Sequence, residues 1–204
     1  MPVRRRPRLS IVRWTPENPR WPDWAVVGAL CAGVAAGVAA GHLLPGGRRA
    51  ALGAAVLAYA HARAHGRSGA LAPTLLAWLR AAAPVWLGGL WSPGGAPIVL
   101  AALGLHGFAL GLGLGVAGST GGARGVLASG LTLLPGNILA LPALGWLGAR
   151  ALRAALRPGR EPLPPAGYLR LGAAVLAGVA AVSLVEALIT PLVLQLAGVL
   201  GLSL

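Results

Sequence analysis

Apolar residues in this chain come in long runs interrupted by short polar clusters. They neither alternate nor recur every three to four positions, as they would on a half-buried strand or a surface helix. Four runs, 24–44, 96–117, 125–148 and 171–194, are long and apolar, and crossing roughly 30 Å of hydrocarbon takes about 20 such residues in a helix. A further run, 74–91, is shorter and carries Arg80 near its start, where a long side chain can snorkel to the interface. It is counted as a span because the SPGG turn at 92–95 needs a helix on its other side to make a hairpin. Four spans with a re-entrant second segment is the competing count. The pattern predicts an all-α polytopic membrane protein with about five transmembrane helices, in one membrane domain over 24–204 behind a basic tail, 1–23.

The segments between spans differ in character. Residues 45–73 form the only sizeable outer connection. Arg48 and Arg49 open it, and Leu52, Val56, Tyr59 and Arg63 fall on one helical face, the pattern of an interfacial helix. Residues 158–165 read PGREPLPP, a stiff non-helical linker. No internal repeat occurs at a fixed period.

Composition agrees with the pattern. Of 204 residues, 56% are hydrophobic and 10% charged, whereas a soluble domain carries about a quarter charged residues. Mean hydropathy is +0.75. This balance excludes a soluble enzyme, a disordered chain and a disulfide scaffold. Cys31, the only cysteine, can form no internal disulfide and is expected to be a small apolar packing residue.

Charge changes the picture only after the basic residues are located. The net charge is +13, from 17 basic residues against Glu17, Asp23, Glu161 and Glu186. Every basic residue is arginine. Such an excess would raise nucleic-acid binding, but the arginines sit in the flanks of the spans. With the N-terminus inside, the inner face receives Arg4, Arg5, Arg6, Arg8, Arg13, Arg20, Arg150, Arg153, Arg157, Arg160 and Arg170. The outer face receives Arg48, Arg49, Arg63, Arg67 and Arg124, with Arg80 at the membrane edge. That inward excess predicts an interior N-terminus and an exterior C-terminus. The tail reads as a topology signal and a contact for anionic membrane lipids, with no nucleic acid as partner. Run 24–44 exceeds a signal peptide's core and is read as an uncleaved anchor. Trp14, Trp21 and Trp24 cluster at the first interface, and Trp91 and Trp146 lie near span ends.

Several residues inside the spans stand out. Gly33, Gly37 and Gly41 are four apart, as are Gly107, Gly111 and Gly115. Such ridges let helices approach closely in lipid, either within the chain or against a partner's helix. The fourth span contains LLPGN at 133–137 and Pro142, so Pro135 and Pro142 are expected to kink it. Asn137 is placed to satisfy a freed carbonyl or to bond across to another helix; a site built from exposed backbone is the less favoured reading. Glu186 lies well inside the last span, where a carboxyl must be protonated or paired. Asn137, His106 and Arg80 are its candidate partners by depth. A polar clamp is favoured over a relay because one acid and, at most, His106 make no chain of titratable groups.

No catalytic constellation emerges. The four acids are scattered, and His42, His61, His65 and His106 lack zinc-like spacing; His61 and His65 are four apart without a third ligand. No catalytic, cofactor or metal site is expected.

In chain order, Ala96–Pro97, the helix GFALGLGLG at 107–115, LLPGNILALP at 133–142 and SLVEALITP at 183–191 resemble the stage II sporulation protein M family. Its pattern there is close to LLP-H-G-x-x-E-x-P, followed by a last span ending close to (I/V)-E-A-x-(I/V)-(S/T)-P. The match covers about residues 75–195 and is carried by Pro135, Pro142, Glu186 and Pro191. Gly136 stands where the family has His, Asn137 where it has Gly, and Ala140 where it has Glu. The resemblance implies a five-span inner-membrane protein that scaffolds the sporulation engulfment complex. It would localise two peptidoglycan hydrolase partners, an amidase/endopeptidase and a lytic transglycosylase, without being a hydrolase itself. A transporter or permease-like subunit, suggested by the expected kink and by Glu186, is the alternative.

Overall fold

The computed structural model describes residues 20–64, 71–91, 94–156 and 165–199. All the regular elements among them are helices: α1 (Trp21–Leu43), α2 (Gly46–Ala64), α3 (Leu71–Gly88), α4 (Gly95–Ala155) and α5 (Pro165–Val199). Five stretches are long and apolar enough to cross a membrane: Trp21–Leu43, Leu71–Gly88, Gly95–Leu127, Gly136–Ala155 and Arg170–Val193. The chain is thus an all-α multi-pass membrane protein with five spans, and the second segment is a full helix. The first and last spans lie within three residues of the sequence reading; the second starts earlier, at Leu71, the third runs on to Leu127, and the fourth is displaced to Gly136–Ala155. The tail 1–19, Ser92, Pro93 and most of the proline-rich linker lie outside the described residues.

Helix α4 supplies two spans because Gly122 reverses it. Gly122 has φ 57° and ψ −143°, a conformation open only to glycine at no steric cost. The limbs 95–121 and 123–155 then fold back on each other. A Cβ at Gly118 would lie 3.0 Å from Val126 Cγ2, and one at Gly125 would collide with the Ala117 carbonyl. The hairpin between α3 and α4 closes as tightly, since a Cβ on Gly88 would lie 2.8 Å from Val99 Cγ2.

The α1–α4 contact is made by the two glycine ridges, which face one another. A Cβ on Gly37 would lie 2.7 Å from Leu112 N and 2.9 Å from Phe108 C; one on Gly41 would lie 2.9 Å from Gly115 C. In the reverse direction, Gly107 abuts the Leu30 carbonyl, Gly111 that of Val34 and Gly115 that of Val38, while Gly33 abuts the carbonyl of Gly104. In lipid, where apolar attraction between helices is lost, such backbone-to-backbone packing holds spans together. The ridges are therefore used inside the chain. Cys31, on the same helix, is exposed; the expectation of a packing role is corrected, because the glycine face takes the contact and Cys31 falls off it.

One end of the bundle gathers the start of α1 and the end of α4, where Arg153 Nη2 bonds the Asp23 carboxylate at 2.5 and 2.6 Å. Val26, Val85, Val99, Leu103 and Leu152 form the dense core there. The other end carries Gly122 and α2. The segment expected as an outer loop is largely helical. Arg49 Nη2 donates to the carbonyls of His42 at 2.5 Å and Leu44 at 2.8 Å, satisfying α1's orphan acceptors. A Cβ on Gly53 of α2 would lie 3.6 Å from Thr120 Cγ2, beside the α4 turn. The side chains of Tyr59, His61, Arg63, His65 and Arg67 lie outside the described set.

Candidate functional site: an intramembrane polar cluster

Glu186 is carried by α5 on a face that also buries Val179, Val182, Ser183 and Thr190, the three-to-four spacing of a helix turned toward its neighbours. It is 8% exposed. Its partner is Trp78: the indole Nε1–H donates to Glu186 Oε2 at 2.8 Å. Trp78 lies on the inward face of α3 with Thr74, Ala82 and Val85, so its amphipathic ring is buried rather than set at an interface.

The carboxyl has room because α4 presents glycine opposite. A Cβ at Gly136 would lie 2.6 Å from Glu186 Oε2 and 2.7 Å from Cδ. Glu186 therefore occupies the volume a side chain at 136 would need.

Trp78 connects the pair to the first limb of α4. Its ring and that of His106 are 5.3 Å apart at 47°, and His106 in turn contacts the Asn137 side chain. Asn137 Nδ2 donates to the Leu133 carbonyl at 2.8 Å. The expectation that Asn137 would satisfy a proline-freed carbonyl is corrected. Prolines 135 and 142 free the carbonyls four residues earlier, at 131 and 138, whereas the amide takes its own turn's carbonyl by local back-bonding. The fourth span is not broken at those prolines either. The backbone stays helical through both, and Gly122 is the only residue of α4 with non-helical angles. Pro142 is on the exposed side, and Pro191 lies within helical α5.

The structure thus brings Glu186, Asn137 and His106 into one region, as their depths suggested, but joins them through Trp78. Arg80 is exposed on α3 and is not the partner. Trp78 escaped sequence reading because tryptophan in a membrane protein usually marks the interface; its spacing from Thr74 and Ala82 on one helical stripe was the available signal. Around the cluster, the buried atoms His106 Nε2, Asn137 Oδ1, Ser129 Oγ and Thr190 Oγ1 have no hydrogen-bond partner, while Ser183 Oγ bonds the Val179 carbonyl at 2.8 Å. A buried polar atom without a partner is costly. Among the described residues no group of three His, Cys, Asp or Glu could hold a metal ion. Chemically, the arrangement pins α3, α4 and α5 by one buried hydrogen bond and one ring contact.

No protein-family model, curated protein or solved structure matches the chain.

Proposed function

We propose that this protein is a non-catalytic scaffold of the sporulation engulfment machinery in the cytoplasmic membrane, with its N-terminus inside and C-terminus outside. It recruits and positions peptidoglycan-degrading partners, an amidase/endopeptidase and a lytic transglycosylase, at the septal membrane. The supporting observation is that the two segments carrying the family resemblance, 133–142 and 183–191, meet at Gly136 and Glu186. A resemblance spread along a chain carries more weight when its pieces form one contact. The Asp23–Arg153 pair supports the orientation, because it sets Arg20 at the start of α1 and Arg150 and Arg153 near the end of α4 at the same end of the bundle. In that orientation α2 faces outward, with Arg48 exposed, and is the surface offered to partners.

The test is co-purification of the full-length protein with both hydrolases from sporulating cells, alongside the phenotype of its deletion. The reading expects both partners in the complex and stalled engulfment in the deletion strain; normal engulfment with neither partner bound would sink it. A second reading, a subunit moving an ion or small solute, draws on the unpartnered Thr190 hydroxyl one turn past Glu186 on α5. It expects a flux in proteoliposomes that the Glu186→Gln protein lacks, and absence of flux in both forms excludes it.

A further inference from the structure

On the Asp23 side of the Gly136–Glu186 contact, α3, α4 and α5 separate and leave a shallow groove with a cavity volume of about 80 Å³. Its walls are apolar, combining large residues such as Trp78, Leu144 and Val179 with Ala140 and Ala143 of α4 and Ala174 and Gly178 of α5. Trp146 lies at its far end, half exposed, and the Arg150 guanidinium sits over that ring, 4.7 Å from its centroid. The second limb of α4 and α5 run antiparallel from the Gly136–Glu186 contact. Arg150, one turn past Trp146, and Arg170, one turn before Ala174, therefore flank the same mouth of the groove. Both are exposed. Arg153 is committed to Asp23, which leaves Arg150 and Arg170 as the cations flanking the mouth among the described residues of α4 and α5.

The dimensions name an occupant. From Ala140 to Arg150 is ten residues, about 15 Å along a helix and half of a roughly 30 Å hydrocarbon core. An apolar groove whose α4 wall ends at Leu147, with Arg150 and Arg170 just beyond it, fits a segment of one acyl chain lying within a single leaflet beneath an anionic headgroup; basic pockets between spans recognise lipid in this way. A partner's helix would need a face running the full thickness. We propose that this groove is a specific site for an anionic phospholipid, with an acyl chain against Ala140, Ala143, Ala174 and Gly178 and its phosphate at Arg150 and Arg170. This site is independent of the scaffold reading.

The full-length protein in mild detergent is exposed to an equimolar mixture of phosphatidylglycerol and phosphatidylcholine, and bound lipid is counted by native mass spectrometry. One phosphatidylglycerol is expected to remain in preference to phosphatidylcholine. The double variant R150Q/R170Q is expected to lower retention on the order of tenfold. Gly178→Leu is expected to do the same with both arginines intact. A Cβ at Gly178 meets nothing within 4 Å, so leucine fills the groove without disturbing the fold. Inorganic phosphate is expected not to displace the lipid. Equal retention of the two lipids overturns the proposal. So does retention unaffected by Gly178→Leu, displacement by phosphate alone, or a dimer of the wild type that Gly178→Leu dissolves.

Discussion

Glycine does opposite work in the two halves of this bundle. Between α1 and the first limb of α4, glycines bring backbone against backbone. The carbonyls of Leu30, Val34 and Val38 lie where the Cβ atoms of Gly107, Gly111 and Gly115 would be. Between α4 and α5, Gly136 creates a vacancy that a neighbour's carboxyl fills. The first arrangement is repeated over three turns and involves no side chain that could move aside. The second depends on one flexible side chain, which Trp78 Nε1–H bonds. A sequence motif of small residues therefore does not define its own role; what stands opposite decides it.

The comparison can be broken first at the ridge. Gly37→Leu is expected to cost about 3 kcal/mol, the upper range for overpacking, because its neighbours are the backbone atoms of Leu112 and Phe108. Reversible unfolding in mixed micelles would measure it. Gly28→Leu, on the same helix with nothing within 4 Å of its Cβ, is expected to lie within about 0.5 kcal/mol of wild type, as surface changes do. Equal losses in the two variants would refute the distinction between ridge and free face.

The vacancy is expected to be more forgiving. Gly136→Ala pushes the Glu186 carboxyl off Trp78, at about 1–3 kcal/mol for the donor left without its acceptor. Combined with Glu186→Ala, it is expected to add little to the loss from Glu186→Ala alone, because both remove the same bond. Additive losses would show that Gly136 matters for another reason.

Trp78→Phe sharpens the picture by deleting the donor and keeping most of the ring. It is expected to cost about 0.5–1.5 kcal/mol through the loss of one buried hydrogen bond, while Glu186→Gln, which still offers an acceptor, costs less. The smallest effect belongs to Asp23→Asn. The Arg153–Asp23 pair is about a third exposed on each side, and such pairs contribute up to about 1 kcal/mol, a difference expected to shrink further in high salt.

Run length and apolarity were enough to count the spans, because hydrocarbon thickness imposes a length that composition reveals directly. The ridges at Gly33–Gly41 and Gly107–Gly115 were equally visible as spacings, though not as partners, since spacing on one helix carries no information about which helix it meets. Glu186 stood out because a carboxyl in lipid demands an explanation. Its bond to Trp78 did not, because nothing local fixes which face of α3 points inward. Asn137 and the prolines misled for a related reason: a helix held by neighbours on several sides tolerates proline without breaking, and the amide found the nearest carbonyl rather than the freed one.

The single non-helical residue between the limbs of α4 also bears on how the protein enters the membrane. With no loop to thread, the third and fourth spans cannot be delivered to the bilayer one at a time with independent orientations. They must cross together as a paired hairpin with Gly122 leading in the proposed orientation. The only formal charge beside that tip is Arg124, and its passage costs about 2.5–3.5 kcal/mol on the insertion scale for arginine at mid-membrane. A one-residue turn is thus also an instruction for biosynthesis, committing two spans to a single insertion event.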